Sequence, residues 1–288
     1  MTAPAEPTPH QPGNSVGLAW RLAEVTEARE AWLAETTRAL RADRRVAGSV
    51  LVGSLAAGSG DPFSDVDLIV ALDPPIPPSL LADPFGGLGL PGVELYRRPK
   101  PRNAPTAGAY LAVAVELAAL PVLIDVYVWP ATTAAVPAGA RVLTERAQLS
   151  RSELGLLDLL ATCPPDDPTG SDPDDPATVL LLVQLAAKYH ARGDQDRWTA
   201  ICRQLHIADI TTVGDLHRLL DTRLSAHHPP PPAAVAAVRR LLDLASVTPS
   251  PPKMRCSCRP AITFTTQSWP GSGWSASSPP RDGSTSPP

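Results

Sequence analysis

Two aspartates one residue apart, Asp65 and Asp67, lead into an apolar run, Val66–Leu72, whose composition predicts a strand. Side chains alternate across a strand, so both carboxylates share one face while Val66 and Leu68 take the other. Two like charges that close repel unless a cation lies between them. Magnesium suits such a pair, because it takes hard oxygen ligands and shares its shell with water and phosphate oxygens. Upstream, Gly53-Ser54 follows a second apolar run, Val46–Val52. Glycine lets the backbone approach a phosphate, and backbone N–H groups and the Ser54 hydroxyl can donate to its oxygens. No GKS or GKT is present, so this is not a Walker-type loop. Asp125 is the lone charge in the apolar run Leu120–Pro130. A buried, unpaired carboxylate costs several kcal/mol, so Asp125 is expected to face a metal, a partner or water. Three strand-borne carboxylates could hold two metal ions, one on a triphosphate and one lowering the pKa of an acceptor hydroxyl.

Each feature alone has a plainer reading. Most exposed Asp pairs are simply solvated, and Gly-Ser after a strand is an ordinary turn. The ordered combination is what points to chemistry. Asp61 and Ser64 read as turn residues. Glu94 and Glu116 are candidates for a general base, although a solvated strand edge explains either. Lys188 lies on an apolar helix, where it either snorkels at an edge or reaches a phosphate. His190, Arg192 and Trp198 read as surface and packing residues. The acidic run Asp166–Asp175 lacks the spacing of a calcium loop and reads as a solvated linker. Cys256 and Cys258 have no second ligand pair.

The positioning elements follow from periodicity. A helix is expected from Val16 to Asp43, with an apolar stripe through Leu18, Leu22, Val25, Ala28, Leu33 and Leu40. Strands are expected at Val46–Val52, Val66–Leu72, Val93–Tyr96, Ala109–Leu117 and Val122–Trp129, with Pro- and Gly-rich connections at 73–92 and 97–107. Beyond Pro130 the pattern turns helical: Leu149–Ala161, Ala177–Ala191, Gln195–Leu205, Val213–Ser225 and Ala233–Ala245. The expected fold is α+β, a small mixed sheet with flanking helices followed by a C-terminal helical bundle. The expected divisions are a disordered N-terminus (1–15), an α/β domain (16–147), a helical domain (148–247) and a Ser/Pro-rich tail (248–288), which a frameshift would equally produce.

Composition narrows the field. With a net charge of −4 and no long basic run, a bulk positive field for nucleic acid is not expected. No apolar stretch reaches membrane-spanning length and no signal peptide is visible. Four cysteines without framework spacing fit a reducing cytoplasm.

Gly53-Ser54, a spacer, Asp65-x-Asp67 and the later Asp125 resemble the nucleotidyltransferase superfamily with the DNA polymerase β-like core, over roughly residues 16–130. The helical segment Leu180–Asp194 is similar to the helical domains of bacterial small-molecule nucleotidyltransferases such as aminoglycoside adenylyltransferases. The resemblance implies Asp65, Asp67 and Asp125 as magnesium ligands and catalytic residues, Gly53 and Ser54 on phosphate, and Lys188 reaching the triphosphate. It implies transfer of a nucleoside monophosphate, AMP in the first instance, from ATP or another NTP to a hydroxyl of a small molecule such as an aminoglycoside-like antibiotic. Two alternatives stay open: adenylylation of a protein partner, as by an antitoxin, and a non-catalytic nucleotide-binding protein. Ala56 and Ala57 stand where many members carry Arg, which removes one cationic phosphate contact.

Overall fold

The structure is a computed structural model that describes residues 13–98, 104–161, 172, 174–205, 212–224 and 230–248. The chain divides into two units, Met1–Pro251 and Pro252–Pro288. The second, with the expected Ser/Pro tail and Cys256-x-Cys258, lies outside the described residues, as do residues 1–12 and most of the acidic run after Cys163.

The first unit opens with α1 (Gly13–Ala42), which leads through a short turn into β1 (Val46–Val52). The buried stripe of α1 is Val25, Arg29, Trp32, Thr36 and Leu40, at helical spacing. It therefore includes an arginine that the sequence pattern assigns to the polar face. Trp32 fixes the helix on the sheet by donating from Nε1 to the Pro91 carbonyl at 2.7 Å. One helical turn, α2 (Gly53–Ala56), follows β1 directly, and β2 (Val66–Leu72) returns beside it.

Residues 73–92, expected as loop, contain two short helices, α3 (Pro78–Ala82) and α4 (Pro84–Gly87). Each starts with proline at its first position, where the missing N–H is no loss. Then come β3 (Val93–Arg97), β4 (Ala109–Leu117) and β5 (Leu120–Pro130). The β4–β5 turn is two residues, Ala118 and Ala119, both at positive φ (49° and 61°). Arg240 braces it by donating from Nε to the Ala119 carbonyl at 2.6 Å.

The sheet continues past Pro130, which the sequence pattern did not indicate. β6 (Ala135–Val136) pairs with β8 (Ser150–Arg151), and β7 (Arg141–Glu145) adds an edge to β1. The expected helix at 149–161 is only α5 (Leu156–Ala161). Leu149 is instead buried against the sheet, with its side chain against Gly48. The six-stranded order is β3-β4-β5-β2-β1-β7, with β2 and β5 parallel at the centre and the other pairs antiparallel. Both faces of the central strands are covered, which is why they read as unbroken apolar runs. Val66, Leu68 and Val70 face a core shared with α1 and the helical region. Ile69, Ala71, Tyr127 and Trp129 face a smaller core closed by residues 134–160.

The C-terminal helical region comprises α6 (Pro176–Ala191), α7 (Gln195–Gln204), α8 (Val213–Arg223) and α9 (Pro232–Val247). Asp175 caps α6, accepting from the Thr178 N–H at 2.8 Å, and Thr212 with Asp215 forms a capping box on α8. α6 packs against the other three helices or the sheet, and α9 lies on β5. No described helix is long and apolar enough to cross a membrane.

Candidate active site

Two carboxylates stand side by side where β2 begins against the middle of β5, with a third just ahead of them in the chain. Asp67 and Asp125 are direct register partners on these parallel strands, about 4.8 Å apart from strand to strand, and Asp65 precedes β2 by one residue. By strand alternation Asp67 shares a face with Ile69 and Asp125 with Tyr127, so the pair stands at the end of the smaller core.

Their electrostatics follow from that crowding. Burial pushes the Asp67 carboxyl up to about 6, the charge of Asp65 adds to this, and Lys188 and a hydrogen bond from Asp125 pull the other way. Asp125 is raised well above the carboxylate range, first by burial and then by the charges of Asp67 and Asp65. The Tyr110 hydroxyl donates to Asp125 Oδ1 at 2.9 Å. Its ring stacks on Tyr127 with centroids 4.5 Å apart, so the donor is held rigidly.

Lys188 reaches in from α6. Its side chain is 9% exposed and its Nζ is ion-paired with Asp65 Oδ2. Just past the last residue of α6, its C-cap Arg192 grips Asp61 in a fork, Nε to Oδ2 at 2.6 Å and Nη2 to Oδ1 at 2.7 Å. From α1 the buried Arg29 donates to the carbonyls of Asp61 (2.8 Å) and Ser64 (3.1 Å). Asp61 and Ser64 form a closed turn, with Phe63 N–H on Asp61 Oδ1 and Asp61 N–H on Ser64 Oγ, both at 2.9 Å. Two arginines from two helices thus fix the loop that delivers Asp65 and Asp67. Burial would raise the Asp61 carboxyl, but Arg192 outweighs it and holds the group below its ordinary value.

Gly53 turns the chain out of β1 at φ +72°, and a Cβ there would collide with the Asp67 carboxylate. Only glycine fits so close an approach. Ser54 is half-buried and donates to Ser64 Oγ at 3.1 Å. The cavity between Asp65 and α6, lined by Phe63, Leu123, Gln184 and Lys188 among others, measures ≈ 20 Å³. That is room for about one water and no nucleotide.

Glu94 and Glu116 are not brought to this group. Glu94 lies on the edge strand β3 and is paired with Arg97 (Nε to Oε1, 2.6 Å). Glu116 lies opposite Pro121 near the far end of the β4–β5 hairpin, roughly 13 Å along β4 from the residue facing Asp125. It accepts from Arg240 at 3.1 Å. Of the other polar residues noted in the sequence, Trp198 is buried and tilts against His190 at 5.0 Å. Tyr110, Arg29 and the Asp61–Arg192 fork had not been singled out. A signal existed only for Tyr110, since a two-residue turn at Ala118-Ala119 fixes the β4–β5 register and sets Tyr110 diagonally to Asp125.

As placed, no three His, Cys, Asp or Glu side chains among the described residues form a ready cation cage, and Asp65 is engaged by Lys188. The donor chemistry still suits magnesium: hard carboxylate oxygens, with two of them crowded enough that their charges oppose each other.

Residues 33–97 match the model of the nucleotidyltransferase domain. The match takes in the last third of α1, the β1–Gly53-Ser54 turn, Asp65, Asp67 and β3, and ends before Asp125 and the helical region. No curated protein matches the chain.

Proposed function

We propose that the chain is a magnesium-dependent nucleotidyltransferase that moves a nucleoside monophosphate, AMP in the first instance, from an NTP to a hydroxyl of a small molecule. The carrying observation is the juxtaposition of Asp67 and Asp125 on the two parallel central strands, with Asp65 and Asp67 inside the matched nucleotidyltransferase domain. Asp65, Asp67 and Asp125 would hold the metal, two ions in the fullest case. Once bound, magnesium supplies charge neutralisation on the phosphates and acidifies the acceptor hydroxyl. The chain's own contribution is positioning and preorganised charge. Gly53 and Ser54 offer backbone and hydroxyl donors to phosphate oxygens, and Lys188 adds a cation. Asp125, oriented by Tyr110, is the carboxylate suited to take the acceptor proton, because Glu94 and Glu116 are tied to arginines elsewhere.

An aminoglycoside-like polyol is the first acceptor to test. Support for a small acceptor is the extensive helical region, whose α6 contributes Lys188 and Arg192 directly to the carboxylate loop. The test is pyrophosphate release from each of the four NTPs, with magnesium, against a panel of aminoglycosides and other polyols, with Asp67→Ala alongside. Acceptor-dependent release that vanishes in the variant supports the proposal. NTP binding without release against any polyol would redirect the assignment to a protein acceptor. Absence of both would leave a non-catalytic protein.

A further inference from the structure

Lys188 reaches the carboxylates directly, and its charge is taken up by one of them. It sits on an apolar helix, almost wholly buried, paired with Asp65. Burying an ammonium among leucines is costly unless its charge is balanced, and Asp65 balances it. The helix does not depend on that pair for its place. Arg192, the C-cap of α6, grips Asp61 through two hydrogen bonds, and Gln184, one turn before Lys188, donates to the Pro121 carbonyl at 3.0 Å. Lys188 is therefore a side chain that can change partner while its helix stays still.

We propose that Lys188 is a built-in counter-ion that occupies Asp65 until the metal–nucleotide complex arrives, and then passes to a phosphate oxygen of that complex. This rests on the nucleotidyltransferase reading. It follows that bare divalent cation and Lys188 compete for the same carboxylate. Cation without nucleotide meets a site one ligand short and carrying an extra positive charge. Cation arriving with the triphosphate brings the anion that Lys188 needs, so the exchange leaves both charges balanced. The chain would thus favour the complex over either component, and the helical region would supply the discriminating group.

The test is Mn²⁺ binding to the full chain, followed by electron paramagnetic resonance with and without each of the four NTPs, for wild type, Lys188→Gln and Lys188→Arg. The Gln variant is expected to bind Mn²⁺ alone at least about fivefold more tightly than wild type, and Mn²⁺–NTP at least about tenfold more weakly. The Arg variant, which keeps the charge, should stay near wild type for Mn²⁺ alone. Lys188→Met, close in shape and suited to the buried stem, replaces Gln should the latter fail to fold. Mn²⁺ affinity that is unchanged or lower in the neutral variants overturns the proposal while leaving the nucleotidyltransferase reading intact. Wild type that binds Mn²⁺ with none of the four NTPs overturns both. A lysine with only a structural role would weaken both kinds of binding together, so opposite changes are the signature sought.

Discussion

Burial and the charge of Asp65 both work against the Asp67 carboxylate, and the conflict has a measurable sign. Its folded value of about 6 lies above the ordinary 3.8. Below pH 3.8 both folded and unfolded chains hold the proton and the group contributes nothing. Between 3.8 and about 6 the unfolded chain loses its proton first, so folding stability falls as pH rises, and above 6 the loss is complete. Asp67→Asn in metal-free buffer should therefore melt higher than wild type at pH 8, by roughly 2–6 °C. The gap should close by about pH 4; a gap that is absent at pH 8 or persists at pH 4 would refute the assignment. The same variant should lose activity by at least about 10²–10³-fold, since the destabilising carboxylate is the one the chemistry needs. Tyr110→Phe removes one hydrogen bond to Asp125 and keeps the ring stack. It should lower kcat by roughly tenfold with little change in KM for the NTP; equal loss in both would mean a packing role only. At this scale the carboxylates were legible because charges inside apolar runs need a reason. The arginines were not. An arginine on a helix has no local pattern that names its partner, and Arg29 and Arg192 find theirs more than thirty residues away in sequence.

Between residues and fold lie the elements, and here the turn at Gly53 and the loop 61–64 do the positioning. Gly53→Ala places a Cβ against the Asp67 carboxylate at a left-handed φ. It should cost about 1–3 kcal/mol in urea denaturation, and it should impair activity beyond what stability explains, because relief comes only by moving Asp67. The strands that carry the site were read within a residue or two, because β1, β2, β4 and β5 are largely buried apolar runs. β7 escaped because it is a half-exposed edge strand of five residues, RVLTE, whose periodicity is short and whose pairing with β1 is interrupted by a register shift. The expected helix at 149–161 was too long because Leu149 belongs to the sheet's core rather than to a helical stripe. Apolar content alone does not say which partner buries it.

At the level of the whole first unit, sheet and helices share one core. Leu68, Val70 and Ile124 from the central strands and Leu180, Leu216 and Leu242 from the helices lie in the same contiguous cluster of buried side chains. Polar links reinforce it: Gln184 of α6 accepts from the Tyr96 hydroxyl of β3 and donates to Pro121 of β5. Periodicity turns from strands to helices beyond Pro130, earlier than the chain itself does, and it cannot report whether the two parts bury surface against each other. The shared core predicts that they unfold together. Leu216 is fully buried in α8, so Leu216→Ala should cost about 2–5 kcal/mol. If the unit is cooperative, hydrogen exchange followed by mass spectrometry should show amide protection falling by the same amount in β2 and β5 as in α8. Urea transitions by far-UV circular dichroism and tryptophan fluorescence should also remain superimposed in the variant. Protection lost in α6–α9 alone, with two separated transitions, would mean an independent helical domain. That outcome would matter for the site, because Lys188 and Arg192 could then leave the carboxylate loop with their helix, whereas a cooperative unit keeps α6 in place and leaves only the Lys188 side chain to move.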